Sequence, residues 1–351
     1  MVFKTFRSLF PALVVVMLLC ITAAHAGDAA RIGTAGGVQV QVPVGARGLA
    51  MAGANIAYTS GLEAIYWNPA GLASMTNSAS GLFSTMTIFN DVNVNYLALG
   101  VRMGGFGHIG FSLKTFDFGE IPITTAADPD GLSGATFSPT FVTAGLTYSR
   151  QLTDAILVGV TGKVVSESVP GAAATAFAAD VGVQYHELGG IDGLSFGVAL
   201  KNIGTNMHYT GSRLLVNGSA VGRNTAGQGV SEFVFRGTSS DQLPASVELG
   251  VGYKRSFAEE NSVIVTGLFD NQNFGNDVIR VGVEYAYSDI IAIRGGYQFV
   301  DNTPSEDQNY RFTLGVGLHH KFGNTDISID YAFRDSQYFD GNNIFAVKIG
   351  F

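Results

Sequence analysis

Residues 279–287 read Ile-Arg-Val-Gly-Val-Glu-Tyr-Ala-Tyr, and this stretch decides the fold class. Every second residue is large and apolar, and Arg280, Gly282 and Glu284 stand between the apolar ones. Because successive side chains of a strand point to opposite faces, the alternation predicts a strand with one apolar and one polar face. Both charged residues fall on the polar face.

The same period-two alternation recurs in residues 106–114, 194–201, 311–319 and 326–334, again with every charge on the polar face. A Lys or Arg facing lipid at the middle of a bilayer costs roughly 2–4 kcal/mol, whereas a position facing the lumen costs little. A soluble β-sandwich would instead carry charge on its outer face. The pattern therefore predicts membrane strands, with lumen-facing polar side chains at His108, Lys114, Lys201, Arg280, Glu284, Arg311 and Lys348.

About fourteen strands are predicted, and an even number is typical of a bacterial single-chain barrel. Connections after even-numbered strands are short, whereas 119–137, 203–243 and 300–309 are long, so the short turns are expected on the periplasmic side. We predict an all-β fold, a transmembrane antiparallel β-barrel over residues 78–351. Its strands are predicted near 79–90, 93–103, 105–118, 138–151, 154–168, 174–186, 192–202, 244–256, 261–271, 276–287, 289–299, 310–321, 324–334 and 342–351.

The composition agrees with a barrel that faces lipid. The chain is 46% hydrophobic and only 14% charged, and it contains 46 glycines. A soluble protein of this size normally carries charge on about a quarter of its residues. Without residues 1–26, 18 basic residues face 28 acidic ones. This negative balance argues against a nucleic-acid partner, which requires a basic surface.

Residues 1–26 have the three-part organisation of a secretory signal peptide. Lys4 and Arg7 precede an apolar stretch, and Ala24-His25-Ala26 is an A-x-A site, which predicts cleavage between Ala26 and Gly27. A membrane helix is the alternative, but the stretch is short of the roughly 20 apolar residues required. The only cysteine, Cys20, lies in the removed segment. The mature chain is then without disulfides or thiolate metal sites.

The chain ends with alternating apolar residues that close on Phe351. This ending resembles the terminal strand that barrel-insertion machinery reads. Together with the signal peptide it predicts the bacterial outer membrane as the location. The partners expected there are outer-membrane lipids and the barrel-assembly machinery.

Residues 27–77 do not alternate like a membrane strand. They are rich in Gly and Ala, and they hold the only tryptophan, Trp67, beside the Asn68-Pro69 turn. A flexible leader is one interpretation. A short plug inside the barrel accounts better for the composition, because small residues let one backbone approach another.

Three stretches of this segment, 34–37, 45–51 and 66–72, resemble the amino-terminal signature of the PorV/PorQ proteins, relatives of the FadL-like outer-membrane transporters of hydrophobic compounds. The chain has Ala50-Met51-Ala52-Gly53 where many members have Gly-Met-Gly-Gly. The resemblance implies a hatch that plugs a fourteen-stranded barrel, with hatch or gate residues Arg47, Trp67, Asn68, Pro69, Ala70 and Gly71.

Two functions follow from the resemblance, and both stay open on the sequence. In the first, small hydrophobic molecules bind among loops 119–137 and 203–243 and leave through a gap in the wall beside the hatch. In the second, the barrel is a PorV-like docking or shuttle component of type IX protein secretion, with secreted cargo proteins as partners. A porin-like scaffold is the structural alternative.

The motifs of enzymes and metal proteins are weak in this chain. Residues 105–110 fit G-x-G-x-x-G, but they lead into a strand. In a dinucleotide-binding site this motif has to open a helix. His108 and Ser112 lie roughly 13 Å apart along one strand, too far for a nucleophile and its base. His319 and His320 point to opposite faces. We therefore predict no enzymatic activity, no cofactor and no metal site.

Overall fold

The structure is a computed structural model that describes residues 29–351 except residues 90, 224–228, 236, 258 and 259. The side chains of residues 217–235 are not described. The predicted signal peptide and its cleavage site at Ala26 and Gly27 lie outside the described residues.

Fourteen antiparallel strands form a closed barrel in sequence order, as predicted. The first strand closes on the last, with Ser80 opposite Gly350 and Met86 opposite Ile344. The strands are β1 (Ala79–Ile88), β2 (Val92–Arg102), β3 (His108–Asp117), β4 (Thr140–Gln151), β5 (Ile156–Val169), β6 (Ala172–Tyr185), β7 (Leu194–Gly204), β8 (Ser246–Ser256), β9 (Asn261–Gln272), β10 (Val278–Tyr287), β11 (Ile291–Val300), β12 (Phe312–Phe322), β13 (Thr325–Arg334) and β14 (Asn342–Gly350).

The outer face of the barrel is apolar because the side chains alternate as the sequence predicts. On β12, Leu314 and Val316 are 56% and 49% exposed, whereas Thr313 between Phe312 and Leu314 is 4% exposed. A closed barrel pairs every strand edge, which a bilayer demands because its core offers no water to unpaired backbone groups. Together, the closed barrel and its apolar outer face make the chain a bacterial outer-membrane protein. Within the described residues, no helix is long and apolar enough to span a bilayer.

The ends of the strands differ from the predicted ones by a few residues. β3 begins at His108 and not at residue 105, because Gly104–Phe106 forms a 3₁₀ helix between Gly104 (φ 57°) and Gly107 (φ 120°). These positive φ angles favour glycine and turn the chain before the strand starts. In β7, Lys201 and Asn202 both stand opposite Asp180, which makes a β-bulge.

The connections are long mainly at the end of the barrel that we take as extracellular. Within them, Ile121–Pro122 pairs with Thr136–Phe137, Met207–His208 with Ser240–Asp241, and Leu215–Arg223 with Gly229–Phe235. A short 3₁₀ helix, Ser212–Leu214, lies in the loop after β7. Another, Leu188–Gly190, lies at the opposite end, in the turn between β6 and β7. The connection of residues 170–171 between β5 and β6 is tight although it lies at this end.

Residues 29–77, called the hatch below, run from the extracellular loops to the periplasmic end of the wall. At the start, Gly36 N donates to Gln242 O at 2.9 Å, and the Arg31 guanidinium lies 3.9 Å from the centre of the Phe274 ring. At the end, Asn77 donates to Asp326 at 2.7 Å. Between them lie helices α1 (Ala46–Ala50) and α2 (Ala64–Trp67) and the 3₁₀ helices Ala29–Arg31, Val38–Gln41, Gly61–Glu63 and Pro69–Ser74.

Candidate functional site: the hatch and the lumen

Asn68 is the residue that joins the hatch to itself and to the wall. Its side-chain amide donates to Ile56 O at 3.0 Å and to Val183 O of β6 at 3.1 Å, and its Oδ1 accepts from Ala70 N at 3.2 Å. Asn68 also caps the 3₁₀ helix that begins at Pro69. The side chain is fully buried, so these bonds to backbone groups replace the water that it loses.

Two wall residues complete the attachment of the Pro69–Ser74 helix and its neighbourhood. Ser149 Oγ of β4 donates to Ala70 O at 2.9 Å and accepts from Ala73 N at 3.1 Å. The Gln184 amide of β6 donates to the backbone oxygens of Ile56 and Thr59 at 2.8 and 2.9 Å. These two polar side chains of the wall thus form hydrogen bonds with backbone atoms of the hatch and not with its side chains.

Glycines on the inner face of the wall make room for this contact. A Cβ on Gly182 would overlap Asn68 Oδ1, and a Cβ on Gly159 would overlap the backbone of Pro69. In the same way, Gly197 and Gly282 meet hatch backbone atoms at 2.8 Å from the place of a Cβ. These inward-facing glycines therefore let the hatch backbone touch the wall.

Trp67 forms the apolar centre of the hatch. Its ring lies against Gly48 and Gly53, where any side chain would overlap the indole, and it meets the Tyr66 ring edge-on at 4.9 Å between centroids. The indole is 5% exposed. Packing against two glycines fixes its orientation.

Arg47 attaches α1 to the wall through a ladder of ion pairs. Its guanidinium donates to both oxygens of Glu284, at 2.8 and 2.9 Å. Arg294 of β11 continues the ladder, with 2.5 Å to Glu284 and 2.6 Å to Asp330. The bidentate Arg47–Glu284 pair, with a half-buried guanidinium and a buried carboxylate, fixes geometry as well as charge.

Glu63 of the hatch lies at the end of this ladder. Its carboxylate accepts from the backbone N of Arg47 and of Gly48, both at 3.3 Å. Burial raises the pKa of the Glu63 carboxyl, the nearby Asp330 raises it further, and Arg47 acts in the opposite direction. The ladder of ion pairs is thus Arg47, Glu284, Arg294 and Asp330, and Glu63 contacts it through the backbone N–H groups of α1.

A cavity of about 430 Å³ lies above the hatch, at the extracellular end of the lumen. Its floor is apolar and aromatic, with Val42, Leu49, Tyr66 and Trp67. Its wall carries charged side chains, most of them paired: Lys201 with Glu248 (3.3 Å), Arg280 with Asp270 (2.8 Å), Arg311 with Asp335 (3.5 Å), and Arg334, which donates to Asn342 and lies 3.7 Å from the Tyr310 ring centre.

A second cavity, of about 280 Å³, lies below the hatch at the periplasmic end. Arg47, Arg294 and Asp330 of the ladder line it, together with His319 and Lys348. Leu49 lines the upper cavity and Arg47, two residues away in α1, lines the lower one. Helix α1 therefore separates the two spaces.

The residues predicted to face the lumen lie on the inner face or at its rim. His108 Nε2 meets Met75 O at 3.1 Å, and Lys114 donates to Val42 O at 2.8 Å. The other five form the ion pairs described above or line the cavities: Lys201, Arg280, Glu284, Arg311 and Lys348. Arg47, Trp67, Asn68, Pro69, Ala70 and Gly71 lie together in the hatch. Phe351 N donates to Ala79 O at 2.8 Å, while its side chain is exposed.

Several site residues were not singled out from the sequence. Asp330 lies on the polar face of a predicted strand, and Glu248 and Asp270 lie on strands 8 and 9, so alternation was a usable signal for these three. Glu63 lies in the non-periodic hatch, where no pattern marks it. Among the described residues, no three His, Cys, Asp or Glu side chains are grouped as a metal site would require.

Comparisons with known proteins identify the fold. No family model and no curated protein matches the sequence. Among solved structures, the Ralstonia pickettii toluene transporter TbuX is similar with a TM-score of 0.53 and 14% identity, over 88% of this chain and 98% of that one. The P. putida toluene transporter TodX is similar with a TM-score of 0.52 and 13% identity, over 88% and 99%. The chain therefore has the same barrel fold as these two toluene transporters.

Proposed function

We propose that the protein is a non-enzymatic conduit that takes small hydrophobic compounds through the outer membrane. The observation that carries the proposal is the upper cavity of about 430 Å³, whose floor of Val42, Leu49, Tyr66 and Trp67 is built by the hatch. Its size is in the range of pockets that enclose small ligands. The two toluene transporters with the same fold support the substrate class.

The hatch would act as the gate between the two cavities. Movement of α1 would bring them closer to connection, because Leu49 lines the upper space and Arg47 the lower one. The resemblance to FadL-like proteins implied an exit through a gap in the wall. All fourteen strand junctions are hydrogen-bonded, so we propose a route down the lumen instead. The ion pairs of Glu284 with Arg47 and Arg294 would oppose this movement and so determine how easily the gate opens.

The sole tryptophan provides a direct test of binding. Because Trp67 lines the upper cavity, a small aromatic such as naphthalene should change its fluorescence saturably in the purified protein. Val42→Phe should fill part of the cavity and weaken binding about tenfold, whereas Val160→Phe on the outer face of β5 should not. Equal, unsaturable responses of all three proteins would refute the proposal.

Transport needs a barrier that hydrophobic compounds do not cross unaided. We propose vesicles with lipopolysaccharide in the outer leaflet and entrapped acceptor, with and without the protein. The expected result is faster naphthalene influx with the protein and a further change with Asn68→Ala, which removes one hydrogen bond between the hatch and β6. Influx equal to that of empty vesicles would overturn the transport step even if binding holds.

The membership in the PorV/PorQ family and the docking role in type IX secretion stay predictions from residues 34–37, 45–51 and 66–72. No feature of the described residues favours docking over transport. Two results together would favour docking over transport. Secreted cargo would copurify with the barrel in mild detergent, and naphthalene would show no saturable binding.

A further inference from the structure

Three lysine side chains meet at a small hollow beside the upper cavity. Lys114 of β3, Lys163 of β5 and Lys201 of β7 all line this space of about 30 Å³, together with Tyr96 and Thr143. Lys114 Nζ and Lys201 Nζ lie 4.9 and 4.4 Å from the centre of the same ring, that of Tyr66. Every second strand of this part of the wall thus brings one lysine to this space, which Asp180 also lines.

The acidic groups nearby balance only two of the three charges. Lys163 pairs with Asp180 at 2.7 Å, and Lys201 pairs with Glu248 at 3.3 Å. Lys114 is 3% exposed, and among the described residues no carboxylate lies within ion-pair distance of it. A buried ammonium without a counter-charge is costly. An ionised Lys114 in this hollow would therefore have no counter-ion.

Lys114 is held in place although it lacks a counter-ion. Its Nζ donates to the backbone oxygens of Val42 at 2.8 Å and Val40 at 3.4 Å, and it lies 4.9 Å from the centre of the Tyr66 ring. These contacts fix the position of the ammonium beside the hatch. The carbonyl oxygens and the ring carry only partial negative charge, so they would not neutralise an ionised Lys114.

Two hydroxyl groups in the same hollow also lack partners. The Tyr96 hydroxyl and Thr143 Oγ1 are buried and have no hydrogen-bond partner among the described residues. Each hydroxyl can accept a hydrogen bond, and each can also donate one to a bound anion. The hollow has room for about two or three waters, or for one halide ion, and for no organic ligand. A water would accept these bonds but would leave the charge of Lys114 unbalanced.

We infer that this hollow is a binding site for one small monovalent anion, a halide such as chloride. The ammonium of Lys114 supplies the charge, and the Tyr96 and Thr143 hydroxyls supply donors. The bound ion would hold Lys114, and through it the hatch backbone at Val40 and Val42, against the wall. The site does not depend on the proposed conduit function.

Bromide is a suitable probe because it replaces chloride and is visible by anomalous scattering. Crystals of the full protein grown in sodium bromide should show a strong anomalous peak in the hollow next to Lys114. The thermal midpoint should also rise saturably with chloride when gluconate keeps the ionic strength constant. If these crystals show only water or no density in the hollow, the inference would be overturned. This holds whether or not bromide is found at other positions.

Variants separate the site from a general effect of salt. Lys114→Met should abolish the bromide peak and the dependence on chloride. Tyr96→Phe should weaken halide affinity about tenfold, the effect of one hydrogen bond to a charged group. Lys321→Met, an exposed lysine on β12, should change neither. If Lys114→Met does not fold, the Tyr96→Phe comparison and the bromide map decide. A chloride effect of equal size in wild type, Lys321→Met and Tyr96→Phe would contradict the site.

Discussion

The guanidinium of Arg47 and the carboxylate of Glu284 form a bidentate ion pair at 2.8 and 2.9 Å, and this pair joins the hatch to the barrel wall. The two residues are 237 positions apart in the chain. Glu284 also accepts from Arg294 of the wall. A single carboxylate therefore connects the mobile element of the proposed gate to two neighbouring strands.

Replacing Glu284 should open the lumen to ions. Glu284→Met removes the partner shared by Arg47 and Arg294, and loss of one member of a buried pair typically costs about 3–5 kcal/mol. We expect higher conductance in planar bilayers and a lower unfolding midpoint. Arg150→Gln, at an exposed position at the end of β4, is the control. Unchanged conductance in Glu284→Met would show that the ladder does not close the lumen.

One methyl group should be enough to disturb the seat of the hatch. Gly182→Ala places a Cβ on Asn68 Oδ1, and overpacking of this kind costs about 1–3 kcal/mol. Gly162→Ala is the matched control, since a Cβ there meets nothing within 4 Å. Unfolding in detergent should distinguish the two. Equal stability of both variants would mean that the hatch is not packed against β6 as described.

The extracellular loop after β3 should loosen in acid. Asp128 accepts from Leu132 N at 2.9 Å and Ser133 N at 2.8 Å, and these backbone bonds, that from Ser133 foremost, lower the pKa of the carboxyl. A lowered pKa means that the ionised form stabilises the loop. The contribution is complete above about pH 4 and is lost as the pH falls through the lowered pKa.

Hydrogen exchange measures this loop directly. At neutral pH, Asp128→Asn should speed exchange of the Leu132 and Ser133 amides, and the wild type should approach the variant only in strong acid. Asp130→Asn, in the same loop, is the control. Protection of both amides that does not change with pH or with Asp128→Asn would contradict the assigned role.

The terminal phenylalanine should affect assembly more than stability. The Phe351 side chain is 62% exposed, while its backbone pairs with Ala79. Phe351→Ala keeps the backbone pairing, so we expect unfolding stability within about 0.5 kcal/mol of wild type. Insertion by barrel-assembly machinery should be slower. Normal insertion with a large loss of stability would assign Phe351 a structural role only.

The wall could be predicted closely because alternation is a local signal. Leu314 and Thr313 differ in exposure as their polarity requires, and each predicted strand is present. The start of β3 was misplaced because Gly104 and Gly107 turn the chain by backbone conformation, which alternation does not report. The attachment of Arg47 to Glu284 was beyond prediction, since it depends on how a non-periodic segment lies inside a barrel.

The glycines of the inner face have a consequence for how such a chain can diverge. On the outer face, one branched or aromatic side chain can replace another, because hydrocarbon accepts any of them. At Gly159 and Gly182 not even one carbon can be added without displacing Pro69 or Asn68. Substitutions should therefore accumulate quickly at the lipid-facing positions and very slowly at these inward-facing glycines. Distant homologues would then be recognised by the spacing of their inward glycines long after overall identity has faded.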